Sequence, residues 1–185
     1  MIWAKNKSNV RVMKRLIKKS TQDDCFDPIC EQKKLEEIFK AYDKECNAFS
    51  LNGKKCWGRV VDVYDGDTIK IILPIFGEFF KFSARLYGID TAEIKSDNEE
   101  IKKLAKKSKE RLIQLISDNS DINENVCVVW VECLEWDKYG RLLINIYKRP
   151  GGESYAKTMI KEKVAYEYDG GKKKSETEII DAYIK

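Results

Sequence analysis

Two hydrophobic periods meet near residue 50. Before that point apolar residues recur at helical spacing. Val12, Met13, Leu16 and Ile17 oppose a basic side, and Leu35, Ile38, Phe39, Tyr42 and Cys46 repeat along EQKKLEEIFKAYDKEC. Pro28, in DDCFDPIC, interrupts the pattern between the two expected helices. From Trp57 onward the period shortens to that of extended chain. GRVVDVYDGDTIKIILP reads as two strands joined at Asp65-Gly66-Asp67, because Asp-Gly is a turn signal. EFFKFSARLYGID reads as a third strand with a bulge or bend at Gly88. NEEIKKLAKKSKERLIQLI sets Ile101, Leu104, Leu112, Ile113 and Leu115 among charges and predicts a helix of several turns. NVCVVWVECLEW and RLLINIYKR predict strands four and five, joined around DKYG, and YAKTMIKEKVAY a short helix. Five short strands with a helix inserted between the third and fourth is the order of an OB-type barrel. The expected fold is mainly β with α (α+β): a five-stranded OB-fold barrel over residues 51–185 behind a helical extension over residues 1–50.

Composition narrows the class. The 185 residues suit one domain with an appended segment, and 43% hydrophobic with 36% charged residues implies a packed core under a densely charged surface. The longest apolar runs, IILPIF and VCVVWV, are far short of the roughly 20 residues of a membrane span. The basic start is not followed by an apolar stretch before DDCFD, so neither a secretory signal nor a membrane span is expected. An intracellular protein with reduced thiols follows, and the lysine-rich, histidine-free composition fits an AT-rich genome such as a virus's. The six cysteines include no Cys-x-x-Cys pair, and no histidine is present to complete a mixed zinc site; a Cys25/Cys30/Cys46/Cys56 cluster is therefore disfavoured. Cys127 and Cys133 share strand parity with Val129 and Val131 and are expected in the core.

Net charge is +4, unevenly placed. Residues 1–20 carry Lys5, Lys7, Arg11, Lys14, Arg15, Lys18 and Lys19 with no acid, and a second basic run is Lys102, Lys103, Lys106, Lys107, Lys109 and Arg111. Such runs serve either as solvated helix faces or as contacts to a polyanion.

The absence of histidine removes Ser-His and Cys-His nucleophiles and any histidine base. A catalyst here must use carboxylates, cationic side chains, tyrosines or a metal. Asp67 follows the turn glycine and Asp90 ends the third strand, positions that a barrel rim brings together. Two facing carboxylates need a cation, and oxygen donors suit Ca²⁺ or Mg²⁺; turn and loop-capping roles are the alternative. Arg85 and Arg141 have the fork geometry to hold a phosphodiester and take up growing charge. Glu93 then takes a proton from an attacking water. Surface ion pairs would use the same residues.

In order along the chain, VVDVYDGDTIKI, ARLYGIDTAEI, WDKYGRLLINIY and VAYEYDGGKK resemble the staphylococcal nuclease (thermonuclease-like) family over about residues 57–174. The resemblance implies an OB barrel of the staphylococcal nuclease type and a Ca²⁺-dependent phosphodiesterase that cuts DNA and RNA to leave 3′-phosphates; a monomer is expected. It also implies Asp67, Asp90 and the carbonyl of Thr91 as metal ligands and Glu93 as general base. Arg85 and Arg141 match the phosphate-binding arginines, Lys138 and Tyr139 the nucleotide-phosphate contacts, and Tyr166 and Tyr168 the aromatic wall beside the bound base. Four departures stand out: Ala92 where the family has proline, a connection LPIFGEFF that reads as long, a short C-terminal helix in SETEIIDAYIK, and the extension itself.

Two rivals remain open. Asp67 with Glu93-Ile94-Lys95 mimics the acid plus Glu-x-Lys pattern of Mg²⁺-dependent restriction-type nucleases. A non-catalytic OB module would use the tyrosines and lysines for binding alone. The extension raises its own alternative, since Leu35, Ile38, Phe39 and Tyr42 have core-like spacing and the basic segment would then be a solubilising tail. Deleting residues 1–20 distinguishes the two. If the segment contacts phosphates, nucleic-acid affinity falls and the slope of log affinity against log salt becomes shallower; an unaltered slope identifies a tail.

Overall fold

The computed structural model describes residues 28–118 and 125–183, so the basic segment and the expected helix around Val12–Ile17 lie outside the described residues. The chain divides into two compact units, Met1–Ala48 and Phe49–Lys185. In the first, α1 spans Pro28–Phe39. Pro28 opens this helix, as suits a residue whose missing N–H is unneeded in the first turn. The helix also ends earlier than the spacing predicts. Asp43 accepts the Glu45 N–H at 2.9 Å and Cys46 N–H bonds the Asp43 carbonyl, so a local Asx turn displaces helix before Cys46. Leu35, Phe39 and Tyr42 are exposed; their helical spacing does not make a buried face.

The second unit is built on strands β1 (Lys55–Val63), β2 (Thr68–Ile75), β3 (Glu78–Leu86), β5 (Cys127–Trp136) and β6 (Leu142–Tyr147). They close into a barrel in the order β1-β2-β3-β6-β5, antiparallel throughout except for β3 and β6, which run parallel. This is the expected OB barrel. Alternation explains its interior: Ile69, Ile71 and Leu73 of β2 and Ile144 and Ile146 of β6 point inward and are buried, as are Val129, Val131, Cys127 and Cys133. Both of those cysteines sit in the core, as parity predicts, with burial pushing the Cys133 thiol up to about 12. Gly58 faces the same interior, where an added Cβ would lie 2.6 Å from Leu73 Cδ2.

The stretch LPIFGEFF is not a long connection. Ile75 pairs with Glu78 across a two-residue turn, with Phe76 at φ 53° and Gly77 at φ 91°, so the extra length lies in the strands. The third strand does not run to Asp90 as one element. Gly88, at φ 82°, breaks it, and the chain re-enters as β4 (Ile89–Asp90), which pairs with β7 (Tyr166–Glu167) outside the barrel.

Helix α2 (Glu99–Ser117) fills the expected place between the third and fourth barrel strands. Asn98 caps it by accepting the Glu100 and Ile101 N–H groups, and Ile101, Leu104, Ala105, Ser108, Leu112 and Ile116 form its buried face. Its basic run is partly neutralised locally: Lys102 pairs with Glu99 and Lys106 with Glu110, and Arg111 pairs with Glu162. Helices α3 (Tyr155–Lys161) and α4 (Glu176–Tyr183) follow. A second cluster, apart from the barrel core, joins Ala92, Ile101, Leu104, Ala105, Tyr166 and Ile179.

The β1–β2 turn is set by close packing. An added Cβ at Gly66 would lie 2.7 Å from Ser108 Cβ and 2.8 Å from Thr91 Cγ2, so helix, turn and loop meet where only glycine fits. Gly66→Ala is expected to cost about 1–3 kcal/mol. Denaturant unfolding measures it, and a cost near zero would show that this junction yields easily.

Candidate active site

Four elements supply one cleft of about 940 Å³: the turn before β2, the end of β3 with the loop after β4, the β5–β6 connection, and the segment after β7. At the turn, Asp65 Oδ1 accepts the N–H groups of Asp67 and Thr68 at 3.0 and 2.7 Å, which fixes where Asp67 enters β2. Thr68 is paired with Arg85 across the β2–β3 ladder. Arg85 therefore stands beside Asp67 because of strand register, and Asp90 reaches both because the chain doubles back at Gly88.

The arginine is the centre of the arrangement. Arg85 Nη2 lies 2.7 Å from Asp67 Oδ2 and 2.5 Å from Asp90 Oδ1, and it donates to the Ile89 carbonyl at 3.1 Å. Asp67 is only 2% exposed and Asp90 1%. The remaining oxygens are also occupied: Thr68 Oγ1 donates to Asp67 Oδ1 at 2.7 Å and Tyr166 Oη to Asp90 Oδ2 at 2.7 Å. Burial pushes the Asp67 carboxyl up to about 8, against the pull of Arg85. Burial acts on Asp90 in the same sense, but hydrogen bonds from Tyr166 and Arg85 and the charge of Lys173 outweigh it and hold Asp90 below the usual carboxylate range. The Arg85 guanidinium thus stands against two buried acids, with the Lys173 ammonium beside one of them.

Arg141 joins this group through Thr68, whose Oγ1 accepts from Arg141 Nη1 at 3.2 Å. Asp137 holds the loop that carries it: its carboxylate accepts Tyr139 N–H and Arg141 N–H at 2.8 and 2.9 Å and Arg141 Nε at 2.7 Å. Lys138 Nζ lies 5.0 Å and Arg141 Cζ 5.6 Å from the centre of the Tyr139 ring, which is 72% exposed. Glu93 extends into the cleft on the loop after β4, with its side chain 68% exposed. Thr91 is buried at the cleft wall, and Ala92 is packed into the second cluster.

Two tyrosines named together in sequence separate in space. Tyr168 lines the cleft with its ring 5.6 Å from Arg85 Cζ. Tyr166 is only 3% exposed; β4–β7 pairing places it opposite Asp90, and its ring packs in the second apolar cluster. It acts on the site through its hydroxyl. Three residues escape the sequence reading: Thr68, Asp137 and Lys173, the last with Nζ 3.2 Å from Asp90 Oδ1 and 2.7 Å from Glu93 Oε1. The DKYGR turn pattern is a signal for Asp137; none marks Lys173 among its lysine neighbours.

Asp67 and Asp90 share one cation at close range and offer hard oxygen donors, a set that fits Ca²⁺ or Mg²⁺ chemically. Among the described residues no group of three or more acidic, cysteine or histidine side chains is placed to hold a metal, so such an ion would need further oxygen donors as well. Also among the described residues, no helix is long and apolar enough to cross a membrane.

The fold and cleft define an OB barrel with two buried acids and two arginines at its rim. The family model for staphylococcal nuclease homologues matches residues 83–183, over half of the chain, and the chain belongs to that family. The matched span begins within β3 and includes Arg85, Asp90, Glu93 and Arg141, while Asp67 and Thr68 precede it. Among curated proteins, none matches the chain. Family membership points to a nuclease-type function acting on nucleic acid.

The hydroxyl of Tyr166 has a measurable role. Tyr166→Phe leaves a buried carboxylate oxygen one donor short, and an expected stability loss of about 1–3 kcal/mol follows. Denaturant unfolding with chelator present measures it. A loss of nucleotide affinity at unchanged stability would restore Tyr166 to the base wall.

Proposed function

We propose that the protein is a Ca²⁺-dependent endonuclease, with Mg²⁺ as the alternative ion, that hydrolyses phosphodiester bonds of DNA and RNA and leaves 3′-phosphates. The observation that supports this most is the convergence of Asp67, Asp90, Arg85 and, through Thr68, Arg141 in one cleft with an exposed Glu93.

Each residue has a distinct task in this reading. Arg85 uses Nη2 on the two acids, and among the described residues Nη1 and Nε have no protein partner. Arg141 likewise keeps Nη2 free among the described residues while Nε and Nη1 are held. These nitrogens take the phosphate oxygens and the charge that grows as the phosphorus is attacked. Glu93 accepts a proton from the attacking water; a P–O bond forms to that water and the bond to the 5′ oxygen breaks, leaving the phosphate on the 3′ side. Arg141, nearest the exposed loop, also serves the leaving oxygen. Lys138 and Tyr139 meet a neighbouring phosphate, and Tyr168 stacks beside the base. Asp67, Asp90 and the Thr91 carbonyl would hold the cation, which would supply neutralising charge to the phosphate. Residues 51–185 form the nuclease domain and residues 1–50 an appended extension, in a monomer.

The purified protein is expected to cut single-stranded DNA and RNA with Ca²⁺ and to stop in chelator. Glu93→Gln should lower turnover by about 10²–10⁴ with nucleic-acid affinity kept, whereas Lys95→Ala should change it little. A large loss in Lys95→Ala would favour the restriction-type site, and binding without cleavage under every divalent ion would make the protein a binding module.

A further inference from the structure

Glu93 stands on a loop that meets the barrel at Thr91 but is exposed beyond it. The loop leaves β4 at Asp90 and reaches α2 at Asn98; Thr91 packs against the β1–β2 turn and Ala92 against α2, and beyond them the loop is tied to the C-terminal segment. Ser96 Oγ donates to Glu176 Oε1 at 2.5 Å, and Ala92 packs in one cluster with Ile179 of α4. Lys173 completes this attachment. Its ammonium donates to Glu93 Oε1 at 2.7 Å and lies 3.2 Å from Asp90 Oδ1. Among the described residues Lys173 is the one partner of the Glu93 carboxylate.

The two acids differ in what the contact does to them. Asp90 is already fixed by Arg85 and Tyr166, so its carboxylate is a rigid anchor. Glu93 is mostly exposed and would otherwise sample several rotamers. A lysine bridging the anchored acid to the free one restricts the free one and leaves Glu93 Oε2 available for water. Lysine has three donors and no acceptor, so it can hold both carboxylates at once. The contact also has an electrostatic side. Lys173 adds positive charge next to Asp90, the same carboxylate that Arg85 holds, and so opposes a second cation there. Gly170 and Gly171 precede it, with Gly170 at φ 95°, giving the segment a backbone that can bring Lys173 back over the cleft.

We infer that Lys173 is a positioning residue of the nuclease site: it clamps Glu93 to Asp90 and moderates cation binding at Asp67 and Asp90, so that the C-terminal segment Lys173–Tyr183 is part of the functional site. This inference rests on the reading of Glu93 as the base, and the measurements separate the two.

Three variants of the full chain test it: Lys173→Met, Lys173→Arg and the double variant Lys173→Met with Glu93→Gln. Single-turnover cleavage of an oligonucleotide is expected to slow about 10- to 100-fold in Lys173→Met with KM within about threefold, and Lys173→Arg should recover most of the loss. In the double variant the rate should equal that of Glu93→Gln alone, because Lys173 acts through Glu93. Independently of activity, terbium luminescence should report cation binding several-fold tighter in Lys173→Met at low salt, an effect that salt diminishes. Weaker terbium binding together with a lowered melting temperature would show a scaffold role only and overturn the proposal, as would an unchanged rate in Lys173→Met. If the wild-type chain cleaves nothing, the nuclease reading fails, while tighter or unaltered terbium binding still decides the electrostatic half.

Discussion

Burying two carboxylates beside one guanidinium is the constraint around which the rest of the second unit is arranged. Removing ionised groups from water is costly unless each is paired and hydrogen-bonded. Here every oxygen of Asp67 and Asp90 has a donor, drawn from β2, β3 and β7. Burial still pushes Asp67 toward protonation against the pull of Arg85, and two acids with hard oxygen donors at this spacing suit a hard cation. A cleft that sets two buried acids beside unused guanidinium nitrogens has both halves of a phosphodiester site, one for a cation and one for the phosphate.

The fold earns this arrangement through three local devices. Gly66 lets the β1–β2 turn tuck against Ser108 and Thr91, which brings the start of β2 close to the loop after β4. Gly88 turns the chain out of β3 so that Asp90 faces back toward Arg85. The parallel β3–β6 contact, with Arg85 opposite Leu143, brings the end of β6 nearest the Arg141 loop to the same rim. None of these carries chemistry itself. Each is a packing or backbone solution whose product is the spacing of the charged groups.

The small β4–β7 sheet and the second apolar cluster extend the site beyond the barrel. Tyr166 contributes its ring to that cluster and its hydroxyl to Asp90. Ser96, Lys173 and Glu176 tie the Glu93 loop to the C-terminal segment. A loop lacking the proline that the family resemblance leads one to expect is held instead by contacts from residues about 80 positions away. The first is part-buried and the second exposed, where an ion pair is individually weak, but the lysine of the second also reaches an anchored, buried acid.

Much of this protein was legible in its residues. Period-two alternation and Asp-Gly determined the barrel strands, and helical spacing from Ile101 to Ile116 determined α2, because each pattern answers to burial on one face. The order of the motifs likewise placed Asp67, Arg85, Asp90 and Arg141 as a set. Other features depended on tertiary structure. Helical spacing continued to Cys46, but α1 stops at Phe39 since an Asx turn at Asp43 competes and no buried face rewards continuation. Tyr166 and Tyr168 differ by two positions in sequence, yet strand pairing buries the first opposite Asp90 while the second, past the end of β7, is half-buried at the cleft. Lys173 is one of three consecutive lysines, alike in composition, and only the fold of the chain over the cleft sets its ammonium between Asp90 and Glu93. Sequence decides which groups are available and which faces turn inward; the meeting of groups far apart along the chain is decided by closure of the barrel and the packing of the segments around it.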